Sequence, residues 1–179
     1  MKKGCAGKET RDIIKGYIKE AEDSVSGTSG GAVADEPFYI VSLDKVEEQF
    51  NKWVEYLPNV KPYFAVKSNP DDKIIRLLAK LGCGFDCASK NELKNVLGVV
   101  YNPNRIIFAN PCKVSSHLIY ARENDIAMMT FDSIEELEKI HNIYPEAQIL
   151  LRISVDDTNS LCKFNSKFGC PQSNIIKIF

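Results

Sequence analysis

Along residues 10–23 (TRDIIKGYIKEAED), Ile13, Ile14, Tyr17, Ile18 and Ala21 recur at the three- and four-residue spacing of a single helical face. That spacing predicts an amphipathic helix. The next stretch, SVSGTSGGAVADE, loses the periodicity to Ser, Gly and Ala and reads as a flexible linker. Phe38-Tyr39-Ile40-Val41 predicts a short strand. Leu43, Val46, Phe50, Trp53 and Leu57 then predict a second helix that stops before Pro58.

From Pro62 the pattern becomes regular. Strand-like runs are PYFAVK (62–67), GFDCAS (84–89), RIIFAN (105–110), AMMTFD (127–132) and AQILLRISV (147–155), starting 22, 21, 22 and 20 residues apart. Amphipathic stretches fill the gaps. Asn69-Pro70 reads as a helix cap followed by proline at the first helical position. Ser89-x-x-Glu92 and Ser133-x-x-Glu136 read as capping boxes. Strands alternating with helices at this spacing predict βα units and a parallel sheet. A doubly wound nucleotide binder would carry a Gly-rich turn after its first strand, where this chain has Lys67-Ser68-Asn69-Pro70, and no GxGxxG or Walker pattern occurs. The alternative is the (β/α)8 barrel, with chemistry at the C-terminal ends of its strands. Only residues 156–179 follow the fifth strand, too few for three more units. The expectation is therefore an α/β fold: a partial (β/α)8 barrel of about five units over 62–179. Residues 1–36 form a preceding helix and linker, and 37–61 a strand and helix leading into the barrel.

Composition narrows the function. The chain has 179 residues, 44% hydrophobic and 26% charged, as in an ordinary globular protein. Lys+Arg 23 against Asp+Glu 24 leaves a net charge of -1, which argues against nucleic acid or an anionic membrane as partner. No apolar run approaches a membrane span, and MKKGCAGKETRD lacks the apolar stretch of a secretory signal, so a cytoplasmic location is expected. Cys5, Cys83, Cys87, Cys112, Cys162 and Cys170 form no CxxC pair, and His117 and His141 are the only histidines. No metal site is expected, and the thiols are expected to be reduced and mostly buried.

Each predicted strand ends in or contains a polar residue: Lys67, Asp86, Asn110, Asp132 and Arg152. Strand alternation puts Tyr63, Ala65 and Lys67 on one face, and a lysine at a barrel rim has several uses. It can anchor a phosphate or carboxylate, act as a Schiff-base nucleophile, or simply extend its ammonium into water. Asp86, one strand over, is either its counter-ion or a carboxylate at a helix start.

The ordered motifs KPYFAVKSNP, LAKLGCGFDCASKNEL, RIIFANPCK, AMMTFDS and LLRISVDD resemble the eukaryotic ornithine decarboxylases, members of the alanine-racemase-like pyridoxal-phosphate decarboxylases. The likeness runs from about Phe38 onward. It implies that Lys67 holds pyridoxal 5'-phosphate covalently and that Asp86 and Arg152 are catalytic or cofactor-site residues. It places Glu92 near the cofactor, although the Ser89 capping box accounts for Glu92 equally well. Asp132 and Lys167 match residues that bridge a homodimer, and Lys113 to about Glu136 resembles a surface used to bind antizyme. The implied reaction is decarboxylation of L-ornithine to putrescine in polyamine synthesis. The Phe38–Val41 strand would belong to the family's C-terminal β-domain. That domain and several further site residues of the family would fall beyond Phe179, so the chain corresponds to an N-terminal portion, expected to be inactive alone. Rivals are a non-catalytic antizyme-inhibitor-like homologue, a decarboxylase of diaminopimelate, arginine or lysine, and a single-domain pyridoxal-phosphate homeostasis protein. The inhibitor-like class tends to lose the GFDCAS aspartate, whereas this chain keeps both Asp86 and Lys67. The homeostasis protein differs from AVKSN at its lysine and would leave the Phe38–Val41 strand unexplained.

Overall fold

The computed structural model describes residues 6–25, 39–162 and 167–178. The chain divides into two units, Met1–Ser42 and Leu43–Phe179. In the first, helix α1 (Ala6–Val25) begins earlier than the expected Thr10 and leaves Ile13, Tyr17 and Ile18 exposed. The first two residues of the expected linker, Ser24 and Val25, continue α1, and from residue 26 to Phe38 the chain lies outside the described residues. Tyr39, Ile40 and Val41 have no regular secondary structure, in contrast to the strand expected there. A strand is defined by pairing, and no ladder among the described residues reaches them.

The second unit opens with helix α2 (Leu43–Tyr56), whose Leu43, Val46 and Phe50 pack onto the core as their spacing predicts. Five βα units follow. They are β1 (Tyr63–Ala65), α3 (Asp72–Leu81), β2 (Gly84–Cys87), α4 (Lys90–Leu97), β3 (Ile106–Phe108), α5 (Ser115–Glu123), β4 (Met128–Phe131), α6 (Ile134–Ile143), β5 (Gln148–Leu151) and α7 (Gln172–Ile178). The strands lie in the order β1-β2-β3-β4-β5, and every neighbouring pair is parallel. Each is shorter than its hydrophobic run, because the chain leaves the ladder for a turn before the apolar pattern ends.

The registers divide the sheet into two faces. Phe85 pairs with Ile106, Cys87 with Phe108, and Phe108 with Met129; all are fully buried, with Phe131 beside them. This is the face the helices cover, and it holds most of the core. The other face carries Tyr63, Ala65, Asp86, Ile107, Thr130 and Leu150, in register as Ala65–Asp86–Ile107 and Thr130–Leu150. It is less covered, with Leu150 43% exposed. Gly84 is required here: a Cβ at that position would come within 2.6 Å of the Tyr63 ring.

Side-chain caps start α3, α4 and α6, with one shift from expectation, while α5 follows Val114 without one. Asp71, not Asn69, caps α3, accepting the amides of Lys73 and Ile74 at 2.9 and 3.2 Å. Asn69 instead accepts the Asp71 amide, and Pro70 sits before the cap. Ser89 and Ser133 cap α4 and α6 as predicted. Between α2 and the β1 edge lies an apolar cavity of about 520 Å³ lined by Val46, Phe50, Trp53, Phe64 and Leu78. Among the described residues, no helix is long and apolar enough to cross a membrane.

Candidate functional site

Lys67 does not end a strand. The alternation breaks at Val66, where the chain turns into one turn of 3-10 helix, Val66–Ser68. Fully buried Val66 anchors this turn; the Ser68 hydroxyl donates to the Ala65 carbonyl at 2.7 Å, and the Asn69 amide to the Val66 carbonyl at 3.2 Å. Lys67 is thereby presented exposed at the C-terminal end of β1, on a turn rather than by strand parity.

Asp86 lies one strand over, opposite Ala65 on the open face, and is half-buried. Burial pushes its carboxyl above the ordinary carboxylate value; the Lys67 charge works against that shift and the Glu92 charge adds to it. Glu92 is held by its own helix: it accepts the Ala88 amide at 2.8 Å and the Ser89 hydroxyl at 3.0 Å, while Ser89 accepts the Glu92 amide at 3.3 Å. The capping reading of Glu92 is realised, and the same carboxylate acts as a fixed charge on Asp86. The Cys87 thiol behind them is fully buried, and burial pushes it far above its usual range. It is an inert packing residue.

A second group gathers at the ends of β4 and β5. The Arg152 amide donates to the Phe131 carbonyl and its own carbonyl receives the Cys170 amide, both at 2.8 Å. Its guanidinium stands 4.8 Å from the centre of the Phe168 ring, with Lys167 over the same ring at 5.1 Å. Asp132 accepts the Gly169 amide at 2.9 Å. Gly169 has φ +106 and a Cβ there would meet the Ser154 backbone at 2.8 Å, so only glycine closes this loop. Asp132, Arg152 and Lys167 thus belong together, and Lys67, Asp86 and Glu92 belong together. The two groups are separated by β3, with three strand spacings of about 4.8 Å between β2 and β5. Asn110 serves a turn, accepting the Cys112 amide at 3.3 Å. His117 and His141 lie on α5 and α6, on helices as expected.

One constellation escaped the sequence reading. Lys113 and Glu136 are 2% and 3% exposed and form an ion pair of 2.9 Å. Glu136 also accepts the Lys113 amide at 3.1 Å, and Lys139 approaches its other oxygen at 2.5 Å without hydrogen-bond alignment. The Ser133 capping box is therefore half of one: Ser133 accepts the Glu136 amide, but the carboxylate turns away to Lys113. A signal was present. Lys113 is the only charged residue between Arg105 and Arg122, a lone charge in an apolar run.

Residues 43–178 match the family model for the pyridoxal-dependent decarboxylase pyridoxal binding domain, and the chain belongs to that family. It is 49% identical over 138 residues to the ornithine decarboxylase of Saccharomyces cerevisiae, covering 77% of this chain and 30% of that protein. It is 50% identical over 135 residues to the ornithine decarboxylase of Caenorhabditis elegans, covering 75% and 32%. Among solved structures, the Paramecium bursaria Chlorella virus arginine decarboxylase bound to agmatine superimposes with TM-score 0.79 at 32% identity, covering 90% of this chain and 43% of that one. The Entamoeba histolytica ornithine decarboxylase gives 0.64 at 37%, covering 76% and 42%. The chain thus spans about a third of the length of these two ornithine decarboxylases. These likenesses identify the sheet as part of a pyridoxal-phosphate decarboxylase barrel.

Proposed function

We propose that this chain forms the cofactor-binding part of a pyridoxal-phosphate-dependent ornithine decarboxylase. The observation that carries the reading is the exposed Lys67 amine on its anchored turn, beside the half-buried Asp86 carboxyl. The residues fit the group. An accessible primary amine can attach to the cofactor aldehyde, and a carboxyl whose proton affinity is raised by burial can hold or release a proton beside it. Lys67 would hold pyridoxal phosphate, with Asp86 lining its site from β2 and Arg152 offering a cation from the β5 side. When bound, the cofactor supplies an electron sink for the pair left behind as a carboxylate departs as carbon dioxide. Asp86 keeps a negative charge or a proton at a fixed place on the open face; burial favours the proton, the Lys67 charge opposes it, and the capped Glu92 adds a little to it. The ornithine decarboxylases to which the chain is 49% and 50% identical support ornithine as substrate. Asp132 and Lys167 would meet a second subunit in a homodimer. Presence of both Lys67 and Asp86 favours an enzyme over a non-catalytic homologue.

Lys67→Ala and Lys67→Arg, made in the protein that carries this chain, are expected to abolish carbon dioxide release from ornithine, because arginine cannot replace the attaching amine. Near-normal turnover in either variant would refute the role of Lys67.

A further inference from the structure

The sheet has one weak seam. β1–β2, β2–β3 and β4–β5 register three or four residue pairs each, whereas β3 and β4 register one, Phe108 with Met129. Ala109 turns its amide to the Cys87 carbonyl of β2, so Phe108 and Asn110 face β4. A continuing ladder would bring the Asn110 amide to the Thr130 carbonyl. The Lys113 ammonium arrives there instead, 2.5 Å from the Thr130 carbonyl oxygen and 3.1 Å from the Asn110 carbonyl oxygen. With Glu136 at 2.9 Å, three oxygens surround a group with three protons. The ring of Phe108 lies 5.8 Å from the same nitrogen. The side chain of Lys113 is fully buried, and burial pulls its pKa below the ordinary lysine value while Glu136 opposes that.

We propose that Lys113 is a positioning residue: its ammonium replaces the missing rungs of the β3–β4 ladder and sets the distance between the two halves of the cofactor site. This rests on the reading of Lys67, Asp86 and Arg152 given above. Lys67 and Asp86 stand on the β1–β2 side of the seam, and Asp132 and Arg152 on the β4–β5 side. A cofactor held from both sides depends on the width of the seam. Glu136 orients the strut through both the amide and the ammonium of Lys113, and neutralises it. The strut itself touches neither cofactor nor substrate.

The test uses the pyridoxal-phosphate-dependent protein that carries this chain and compares Lys113→Met, Glu136→Gln and the double variant. Lys113→Met leaves Glu136 buried with only the partly exposed Lys139 as counter-ion and is expected to lower Tm; adding Glu136→Gln removes that carboxylate charge and is expected to restore most of the loss. Pyridoxal-phosphate affinity, measured by titration well below Tm, is expected to fall on the order of ten- to a hundredfold in Lys113→Met and to stay low in the double variant, because the strut is still missing. Hydrogen exchange is expected to rise at 109–113 and 129–132 and not at 84–88. If the double variant regains both Tm and cofactor affinity, Lys113 only balances charge and the proposal falls. If the parent protein binds no pyridoxal phosphate, the functional reading fails; the exchange pattern then still decides whether Lys113 ties the seam.

Discussion

On the function proposed above, Asp86 sits where stability and chemistry pull in opposite directions. Its carboxyl is held above the ordinary 3.8 chiefly by burial, so the folded protein binds that proton more tightly than the unfolded chain does. Ionising it therefore costs stability: the cost is absent well below the unfolded pKa, grows as pH rises from the unfolded to the folded value, and is constant above it. In cofactor-free protein, Asp86→Asn is expected to approach the parent Tm near pH 3 and to exceed it by a constant margin once pH has passed the folded pKa, and the cofactor-loaded variant is expected to lose decarboxylation. Melting curves across that range check the sign, and a variant less stable than the parent at neutral pH would contradict it. At this scale the sequence was a good guide to identity and a poorer one to posture. Lys67 and Asp86 were legible as residues of interest from their places at strand ends. That Lys67 leaves the strand on a 3-10 turn was not, because Val66 is apolar whether it continues an alternation or anchors a turn. Lys113 is named in the sequence only as the start of an antizyme-like surface; its burial was not legible, because only the parting of β3 from β4 gives an isolated lysine a buried use.

The elements themselves were legible where period and caps agreed. Five strands and their helices appear in the expected order because each apolar run is bounded by turn chemistry and helices such as α3, α4 and α6 bury one apolar side. The misses have local causes. Asn69-Pro70 resembles a cap, yet Asp71 offers a side chain that reaches two free amides and takes the role. Tyr39–Val41 has strand composition without a pairing partner among the described residues. The two capping boxes, alike in sequence, differ in structure, and this is measurable. Ser89→Ala and Ser133→Ala are each expected to cost about 0.5–2 kcal/mol in urea unfolding. Ser89→Ala combined with Glu92→Gln is expected to be non-additive, since the two side chains bond each other at 3.0 Å. Ser133→Ala with Glu136→Gln is expected to add within roughly 0.5 kcal/mol, since that carboxylate is held by Lys113. Equal coupling in both pairs would contradict the difference.

Across the whole molecule, the helix-covered face is closed and the opposite face is open. The sheet ends in two parallel edges, β1 and β5. Ile149 and Leu150 are 41% and 43% exposed at β5, past which a parallel bridge to Cys170 meets Ile153, and the apolar cavity of about 520 Å³ lies at β1. Unpaired edges with apolar neighbours invite pairing with another chain. Residues 1–179 produced alone are expected to self-associate in light scattering and to release no carbon dioxide from ornithine; a monodisperse, active monomer would contradict both. The central claim is narrower: this sheet places one lysine to receive pyridoxal phosphate. The most direct measurement is borohydride reduction of the cofactor-loaded protein that carries this chain, followed by peptide mapping. The account predicts one pyridoxyl-phosphate mass increment within residues 1–179, on Lys67 of the PYFAVKSNP peptide, with Lys113 unmodified. Labelling on another lysine, or spread evenly over the exposed ones with Lys67 spared, would contradict it.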